Sequence, residues 1–349
     1  MTGPDATLVI PTKDRPADLR RAVRCGLAQR GVAMEVLVVD DGSAVPATTA
    51  LSGVHVPAPH RLEVVRHGSP QGVAVARNHG IALATAPWIG FCDDDDMWAP
   101  TKVRDQLAAA GDDAGWTCSG TLKVDTGLVG LQVQPAPEPT SVADVLLAAN
   151  VVPGGASAVL ARTEVVRSLG GFDTALSTLA DWDFWARLAR ATPLAVVDRP
   201  LVAYVVHEYS MSTNTSLLAD DLARFDAKHA GARRAHGITF DEGNWCRYVA
   251  EMHLRAGRRL RAARRYGMAV RHGRHAAWRL AVASLASPEW AVRRLRDRRR
   301  AHLPADWLEE AEAWLAPLRT DEADEVTEAG EAAPLALAGS ALPAPPVTL

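Results

Sequence analysis

The sequence has few cysteines and no long apolar run. Its 349 residues include four cysteines, and no two of them have the Cys-x-x-Cys spacing that zinc knuckles and redox pairs use. The N-terminus lacks the basic and then apolar pattern of a signal peptide. No stretch of about 18 uninterrupted apolar residues predicts a membrane span. We therefore expect a cytoplasmic protein whose thiols are reduced.

Several ligand-binding signatures are absent as well. The formal net charge is only −3, which argues against attraction of the whole chain to nucleic acid. No Gly-x-Gly-x-x-Gly follows the first predicted strand, and no glycine-rich loop ends in Lys-Ser/Thr, which disfavours dehydrogenases and P-loop enzymes. With 48% apolar and 23% charged residues, the composition is that of a globular protein with a substantial core.

Short apolar runs alternate with helical patterns over the first hundred residues. Runs of strand type lie at residues 7–10, 35–39, 62–65 and 88–92. Helical spacing of apolar side chains covers residues 14–29 and 71–84. Strands that alternate with helices in this way predict βαβ units and a mostly parallel sheet, so the predicted fold class is α/β.

The α/β pattern continues less regularly toward residue 206 and is followed by a change of composition. A loop is predicted at residues 132–139 and a helix at 181–190. Strands are predicted at residues 157–161, 194–197 and 201–206. Residues 247–300 then contain 16 arginines and three acids, whereas residues 305–331 contain ten acids and one arginine. Both blocks have helical spacing, and we expect the acidic block to neutralise part of the basic block.

Four consecutive aspartates, at residues 93–96, follow the fourth predicted strand. Adjacent carboxylates repel one another, and oxygen-rich clusters suit hard divalent ions such as Mg²⁺ or Mn²⁺. Ligands of open α/β sheets bind at the carboxyl ends of the strands, which is where this cluster is predicted to lie. The alternative is a solvated acidic loop that caps the following helix.

Two further segments are predicted at the same sheet edge. Asp40 and Asp41 end the second strand before Gly42, and ordinary Asp-Gly turn chemistry is one explanation for them. A carboxylate at this position is also a suitable acceptor for a ribose or a base. Arg77 lies near the start of the predicted helix 71–84, where its guanidinium is either a surface group or a ligand for a phosphate or a base carbonyl.

A third acidic segment begins the helix predicted at residues 181–190. An N-cap aspartate with an aromatic core face explains one acid well, but it explains Asp181 and Asp183 on both sides of Trp182 less well. A carboxylate that packed aromatic side chains hold in place can act as a general base. His207 ends the last predicted strand, and a lone histidine there is more often structural than functional.

Taken in order, these motifs resemble those of family 2 glycosyltransferases with the GT-A fold. The matching stretches keep the family's order along the chain, and they are VIPTKDR (9–15), VVDDGS (38–43), GVAVARN (72–78), FCDDDDMWAP (91–100), GGFD (170–173) and DWD (181–183). The resemblance implies a mixed, mostly parallel sheet flanked by helices, with a C-terminal helical extension. It also implies inverting transfer of a sugar from a nucleotide diphosphate, with uridine diphosphate favoured, to an acceptor hydroxyl.

The resemblance assigns roles to individual residues. Asp181 matches the catalytic base, although Ala180 stands where the family has glutamate. Asp95 and His207 match ligands of Mn²⁺ or Mg²⁺, although the arginine that usually precedes the histidine is absent. The run of four aspartates leaves the register open by one residue, so Asp94 and Asp96 stay alternatives. The nucleotide-binding positions are Pro11, Thr12, Arg15, Asp41, Arg77, Asp93 and Asp94.

The resemblance also divides the chain into four expected segments. A nucleotide-sugar-binding half covers residues 1–105 and an acceptor-binding half covers 106–215. A helical extension, basic and then acidic, covers 216–320, and a disordered tail covers 321–349. The tail is rich in alanine and proline and has too few bulky apolar residues for a core.

The expected partners are a nucleotide-sugar donor and a glycan, lipid-linked or small-molecule acceptor, as in glycan or cell-envelope biosynthesis. The arginine-rich helices add an expected peripheral contact with the inner face of the cell membrane. Nucleic acid is not an expected partner, because the basic block carries no base-reading motif. The alternatives are a catalytically inactive homologue that binds nucleotide sugars and a nucleotidyltransferase.

Overall fold

The computed structural model describes residues 3–207, 215–286, 303–319 and 336–337 of the chain. The first elements are β1 (Ala6–Thr12), α1 (Pro16–Leu27), β2 (Met34–Asp40), α2 (Ala47–Ala50), β3 (Arg61–Arg66), α3 (Val73–Leu83), β4 (Trp88–Phe91), β5 (Met97–Trp98) and α4 (Lys102–Ala110). Every residue of β1 and β2 is buried, because helices cover both faces of a parallel sheet.

The second half adds an antiparallel part to the sheet. Its elements are β6 (Trp116–Val124), β7 (Gly130–Gln134), α5 (Val142–Ala148), β8 (Val159–Arg162), α6 (Thr163–Ser168), α7 (Ala180–Ala191) and β9 (Leu194–Val205). The sequence pattern did not predict β6, because Thr117, Ser119 and Thr121 interrupt its apolar run. All three are nevertheless fully buried, since β6 lies between β8 and β9 inside the sheet.

One ten-stranded sheet joins both halves. Its strand order is β10-β3-β2-β1-β4-β8-β6-β9-β5, where β10 is Ala336–Leu337, and β7 pairs with β6. Strands β1 to β4 are parallel neighbours, and β6 is parallel to β9, whereas β8 runs antiparallel to both β4 and β6. The predicted mixed, mostly parallel sheet flanked by helices is therefore confirmed.

Two predicted elements differ in the structure. The loop predicted at residues 132–139 begins as a strand, because residues up to Gln134 form β7 against β6. The two strands predicted at residues 194–197 and 201–206 are one strand, β9. Its pairing with β6 shifts between Val197 and Pro200, which explains the break in its apolar pattern. Proline lacks the N–H that a regular ladder needs.

The C-terminal helices divide between two places. They are α8 (Thr215–His236), α9 (Glu242–Arg255), α10 (Arg259–Arg271), α11 (Ala277–Ala286) and α12 (Ala305–Arg319). Helices α9, α10 and α11 share a small core built from Cys246, Ala250, Ala262, Tyr266, Ala269 and Ala277. The acidic helix α12 packs instead on the sheet, where the indole N–H of Trp314 donates to the Pro200 carbonyl at 3.2 Å.

The described residues include only part of each charged block. Among them, Glu310 and Glu312 of α12 pair with Arg199 and Arg319. Arginines of the basic block pair with acids near them, as Arg247 does with Glu251. Residues 287–300 and 320–331 lie outside the described residues, so the neutralisation of one block by the other stays a prediction.

Two expectations fall partly outside the described residues. Residues 287–300 of the basic block lie outside them, and so does the predicted tail at 321–349 apart from Ala336–Leu337, which pairs with β3. None of the helices in the described ranges combines the length and apolarity that a bilayer crossing needs.

Candidate active site

The carboxyl ends of β1, β2 and β4 meet at one edge of the sheet. This follows from the register, because β1 lies between β2 and β4 and is parallel to both. Thr12 ends β1, Asp41 follows β2 and the aspartates at 93–96 follow β4. Pro11 is buried inside β1 opposite Val39. The sheet therefore brings the predicted nucleotide-binding segments together.

The four aspartates point to different partners. Asp93 accepts a hydrogen bond from Arg77 at 2.5 Å. Asp94 is held from the other side, where the Thr12 hydroxyl donates to it at 2.8 Å and Arg15 donates at 3.1 Å. Burial raises the pKa of Asp94 to about 7, although Arg15 and Thr12 oppose the rise. The first two carboxylates thus lie beside two different arginines.

Asp95 and Asp96 have contrasting surroundings. Asp95 receives a hydrogen bond from Arg15 at 2.5 Å, and its Oδ2 lies 3.2 Å from Nε2 of His207. Asp96 is 1% exposed, and it accepts hydrogen bonds from the Ser157 hydroxyl at 2.5 Å and the Val205 amide at 3.1 Å. Asp96 therefore ties the aspartate loop to β9 and faces away from solvent, whereas Asp95 faces the sheet edge.

Asp41 is bound by the chain on both of its oxygens. Oδ1 accepts from the Gln71 amide and pairs with Nδ1 of His67, both at 2.8 Å, and Oδ2 accepts from the Gly72 amide at 2.8 Å. Burial opposes ionisation, but these three hydrogen bonds lower the pKa of Asp41. Sequence reasoning missed His67, although its place just after β3 at the same edge was a usable signal.

His67 is part of a longer polar chain. Its Nε2 lies 2.9 Å from Nδ1 of His79, and the two rings stack with centroids 5.1 Å apart. Burial and the neighbouring His67 lower the pKa of His79. The pair supports Asp41 from behind and fixes its orientation at the sheet edge.

Arg77 binds one acid and influences a second through its charge. Its guanidinium donates to Asp93 and lies over the Phe172 ring, 5.2 Å from the centroid, and its Nε is buried without a hydrogen-bond partner among the described residues. Burial raises the pKa of Asp181, and the positive charge of Arg77 opposes that rise. Asp181 is thus a half-buried carboxylate within electrostatic reach of the aspartate loop.

Trp182 and Asp183, which follow Asp181, have structural contacts. Trp182 is buried, donates its indole N–H to the Leu146 carbonyl at 2.7 Å and packs on Phe225. Asp183 is fully buried. Its carboxylate is bound by Arg187, Lys228 and His229, each within 3.0 Å. The two acids therefore have different surroundings, since Asp183 lies in this buried cluster whereas Asp181 accepts from the Trp182 amide at 2.7 Å and is influenced by the charge of Arg77.

Asp95 and His207, the predicted metal ligands, lie side by side. Within the described residues, no group of three or more His, Cys, Asp or Glu side chains is arranged to hold a metal. Nε2 of His207 is buried and lacks the geometry of a hydrogen bond to any described residue, although Asp95 is 3.2 Å away. Mg²⁺ is commonly held by one or two protein ligands together with substrate phosphates. The pair therefore fits a divalent ion that a diphosphate helps to hold.

Comparison with known sequences gives consistent matches. Residues 7–139 match the family model described as glycosyl transferase family 2. An uncharacterized glycosyltransferase of Haemophilus influenzae is 26% identical over 219 residues, which are 60% of this chain and 72% of that protein. A pre-mycofactocin glycosyltransferase of Mycobacterium tuberculosis is 30% identical over 220 residues, 59% of this chain and 43% of that protein.

Shorter matches add a link to polysaccharide synthesis. The succinoglycan biosynthesis protein ExoO of Rhizobium meliloti is 38% identical over 107 residues, 31% of this chain and 30% of that protein. The chain thus spans less than half the length of the succinoglycan and pre-mycofactocin relatives, and nearly three quarters of the Haemophilus relative.

Solved structures share the fold. The crystal structure of S. aureus TarS 1–349 in complex with UDP superposes with a TM-score of 0.50 at 16% identity, covering 81% of this chain and 87% of that chain. The complex of the same protein with UDP-GlcNAc gives a TM-score of 0.50 at 14% identity, with 80% and 91% covered. Residues 7–139 thus match the model of glycosyl transferase family 2, and the chain has the GT-A-type fold of these structures.

Proposed function

We propose that this protein is an inverting glycosyltransferase that moves a sugar from a nucleotide diphosphate to an acceptor hydroxyl. Uridine diphosphate is the favoured nucleotide. The observation that carries the proposal is the meeting of Thr12, Asp41, Arg77 and the aspartates at 93–96 at one edge of the sheet. Arg77, which donates to Asp93, also acts through its charge on Asp181, and this supports a carboxylate suited to proton transfer near a cluster suited to a nucleotide diphosphate.

The proposed reaction is a single displacement. The acceptor oxygen attacks the anomeric carbon and loses its proton to Asp181, while the bond from that carbon to the diphosphate oxygen breaks. Burial raises the pKa of Asp181, which makes it a stronger base, and the positive charge of Arg77 opposes part of that rise. No covalent intermediate with the protein is needed. Ala180, where the family has glutamate, leaves this base in place.

The nucleotide is proposed to lie along the sheet edge. Pro11, Thr12, Asp41 and the aspartates at 93 and 94 line the nucleoside end, and Arg15 and Arg77 face the diphosphate. The chain makes two hydrogen bonds to Oδ1 of Asp41 and one to Oδ2, so Oδ2 is the oxygen with more room for a donor from the base. One acceptor suits the single ring N–H of uracil, and the UDP complexes of TarS support this preference.

A divalent ion is proposed to be held by Asp95 and His207. When bound, Mn²⁺ or Mg²⁺ would supply Lewis-acid stabilisation of the negative charge on the departing diphosphate. Arg15 donates to the same Asp95 oxygen in the ligand-free chain. Arg15 must therefore turn away from Asp95 as the donor binds, and the diphosphate is a suitable new partner for its guanidinium.

The acceptor is proposed to belong to glycan or cell-envelope biosynthesis, as the name of the succinoglycan relative suggests. Residues 1–105 are proposed to bind the donor, and residues 106–215 the acceptor. The helical extension at 216–320 is proposed to reach the inner face of the cell membrane through α11. Trp278, Val282 and Leu285 are more than half exposed on one face of α11, beside the exposed Arg279.

The alternative proposals are an inactive homologue and a nucleotidyltransferase. Ala180 is the observation that favours the inactive homologue, because it removes an acid next to the base. The products distinguish the second alternative, since a nucleotidyltransferase releases pyrophosphate and a glycosyltransferase releases a nucleoside diphosphate.

Calorimetric titration tests the donor site. We expect UDP to bind the full chain more tightly than GDP, dTDP or CMP when Mn²⁺ is present, and EDTA to weaken that binding. Asp95→Ala should lose the Mn²⁺ dependence, whereas Glu138→Ala, at an exposed acid outside the predicted donor-binding residues, serves as the matched control. Binding of none of the four nucleotides, with or without metal, would overturn the proposed function.

A further inference from the structure

The segment that leads into α7 depends on another helix for its hydrogen bonds. The residue that precedes α7 is Leu179, whose side chain offers no cap. Buried backbone amides need acceptors, and those of this segment find them outside it. Asp181, the proposed base, lies in the first turn of α7, where its carboxylate accepts from the Trp182 amide at 2.7 Å. What fixes the segment before α7 therefore also fixes where the base begins.

Asp221 of α8 supplies the acceptor. Its Oδ2 accepts hydrogen bonds from the backbone amides of Ser177 at 2.9 Å, Thr178 at 2.5 Å and Leu179 at 3.2 Å. The hydroxyl of Thr178 donates to the same oxygen at 2.8 Å. Asp221 is 3% exposed, so these bonds are shielded from water. One carboxylate oxygen thus fixes three consecutive amides just before α7.

Helix α8 is itself anchored on α7 through three further side chains. Lys228 and His229 bind the buried Asp183, and Phe225 packs on Trp182 with ring centroids 4.2 Å apart. The position of Asp221 relative to α7 is therefore set by three separate contacts rather than by one. The segment before α7 is held from a rigid support.

We propose that Asp221 is a positioning residue that sets where the Asp181 carboxylate lies relative to the acceptor hydroxyl. Asp221 does not touch substrate and acts only through the turn that carries Asp181. Proton transfer requires the base within hydrogen-bond reach of the hydroxyl, and misplacement by about 1 Å lowers the rate by about 10²-fold. This inference rests on the proposed function, since it assumes that Asp181 takes the acceptor proton.

The test compares Asp221→Ala and Asp221→Asn with Asp220→Asn, a matched control at the neighbouring exposed acid of α8. We expect Asp221→Ala to lower kcat by about 10²-fold while KM for the donor stays within about twofold. Asp221→Asn keeps an acceptor oxygen at the same place and should recover part of the rate. Asp220→Asn should behave as the unmodified chain.

Two readouts separate positioning from stability. The rate loss of Asp221→Ala should disappear in an Asp181→Asn background, because a residue that acts through the base has nothing to position once the base is gone. Hydrogen exchange of the Ser177, Thr178 and Leu179 amides should speed up in both Asp221 variants and not in Asp220→Asn.

The outcomes have distinct meanings. An equal rate loss with and without Asp181, or a kcat unchanged in a folded Asp221→Ala, overturns the positioning role. If Asp221→Ala does not fold, Asp221→Asn carries both readouts by itself. Absence of sugar transfer by the unmodified chain with every nucleotide sugar contradicts the proposed function instead. The exchange experiment still reports in that case whether Asp221 holds the turn.

Discussion

Asp181 and Asp183 show how two identical side chains, two residues apart, acquire opposite properties. Asp183 accepts hydrogen bonds from Arg187, Lys228 and His229, and these outweigh its burial and lower its pKa to about 2. For Asp181, the charge of Arg77 and the hydrogen bond from the Trp182 amide oppose burial only in part, and its pKa is raised. Asp183 is therefore a structural acid, and Asp181 is suited to exchanging a proton.

Asp181→Asn tests the proposed base. We expect the variant to lose transfer activity by about 10²–10⁴-fold, because an amide cannot accept the acceptor proton. Nucleotide binding should be retained, since Asn has the same size and the donor lies against other residues. Single-turnover transfer and UDP titration measure the two effects. A comparable loss of both would show that Asp181 contributes to nucleotide binding rather than acting as the base.

At the scale of elements, α7 and α8 behave as one unit. Polar bonds join them in two places, through Asp221 just before α7 and through Asp183 in its first turn. The sequence predicted α7 from its spacing and its aromatic residues. It did not predict its partner, because contacts between segments about 40 residues apart leave no periodic signal.

Asp183→Asn tests this unit through stability. Removing one partner from a buried charge network costs about 3–5 kcal/mol, so we expect a loss of that size at pH 7 by urea unfolding. The pKa of Asp183 is about 2 in the folded chain and 3.8 ordinarily. Its ionisation therefore stabilises the fold fully above pH 4, and that part is lost as the pH falls from about 4 to about 2.

The difference in the free energy of unfolding between Asp183→Asn and the unmodified chain should accordingly shrink below pH 4. Asp220→Asn, at an exposed acid of the neighbouring helix, is the control and should change stability by less than about 0.5 kcal/mol. A difference in the free energy of unfolding between Asp183→Asn and the unmodified chain that stays constant from pH 7 to pH 3 would contradict the assigned network.

At the scale of the whole molecule, the two charged blocks face different surroundings. The acidic helix α12 lies on the sheet, where the indole N–H of Trp314 donates to the Pro200 carbonyl. The described basic helices α9 to α11 form a separate small core and leave Trp278, Val282 and Leu285 exposed. Exposed apolar residues next to arginines are typical of helices that lie in a membrane interface.

Vesicle sedimentation tests the proposed membrane contact. We expect the full chain to bind vesicles that contain an anionic phospholipid at low salt, and to bind less as salt screens the arginines. Trp278→Ser should weaken binding about tenfold, because burying a large apolar side chain contributes about 1.5–3 kcal/mol. Val45→Ser removes an equally exposed apolar residue of the sheet domain and is the control. Absence of binding at low salt would contradict the proposal.

The sequence by itself determined the fold class, the first four strands and the edge at which the aspartates lie. Buried parallel strands must be apolar on both faces, so β1, β2 and β4 leave a continuous local signal, and their carboxyl ends must meet. Patterns of this kind depend only on residues within one strand or helix, and those residues are adjacent in the sequence.

Only the tertiary structure decided which acid faces which partner. Four consecutive aspartates are indistinguishable in sequence, yet Asp96 turns to Ser157 and β9 while Asp93 turns to Arg77. The same holds for the polar strand β6, for His67 behind Asp41 and for Asp221 beneath the turn of Asp181. In each case the partner lies far away along the chain, and the energy of burying a polar group depends on whether folding brings that partner within hydrogen-bond distance.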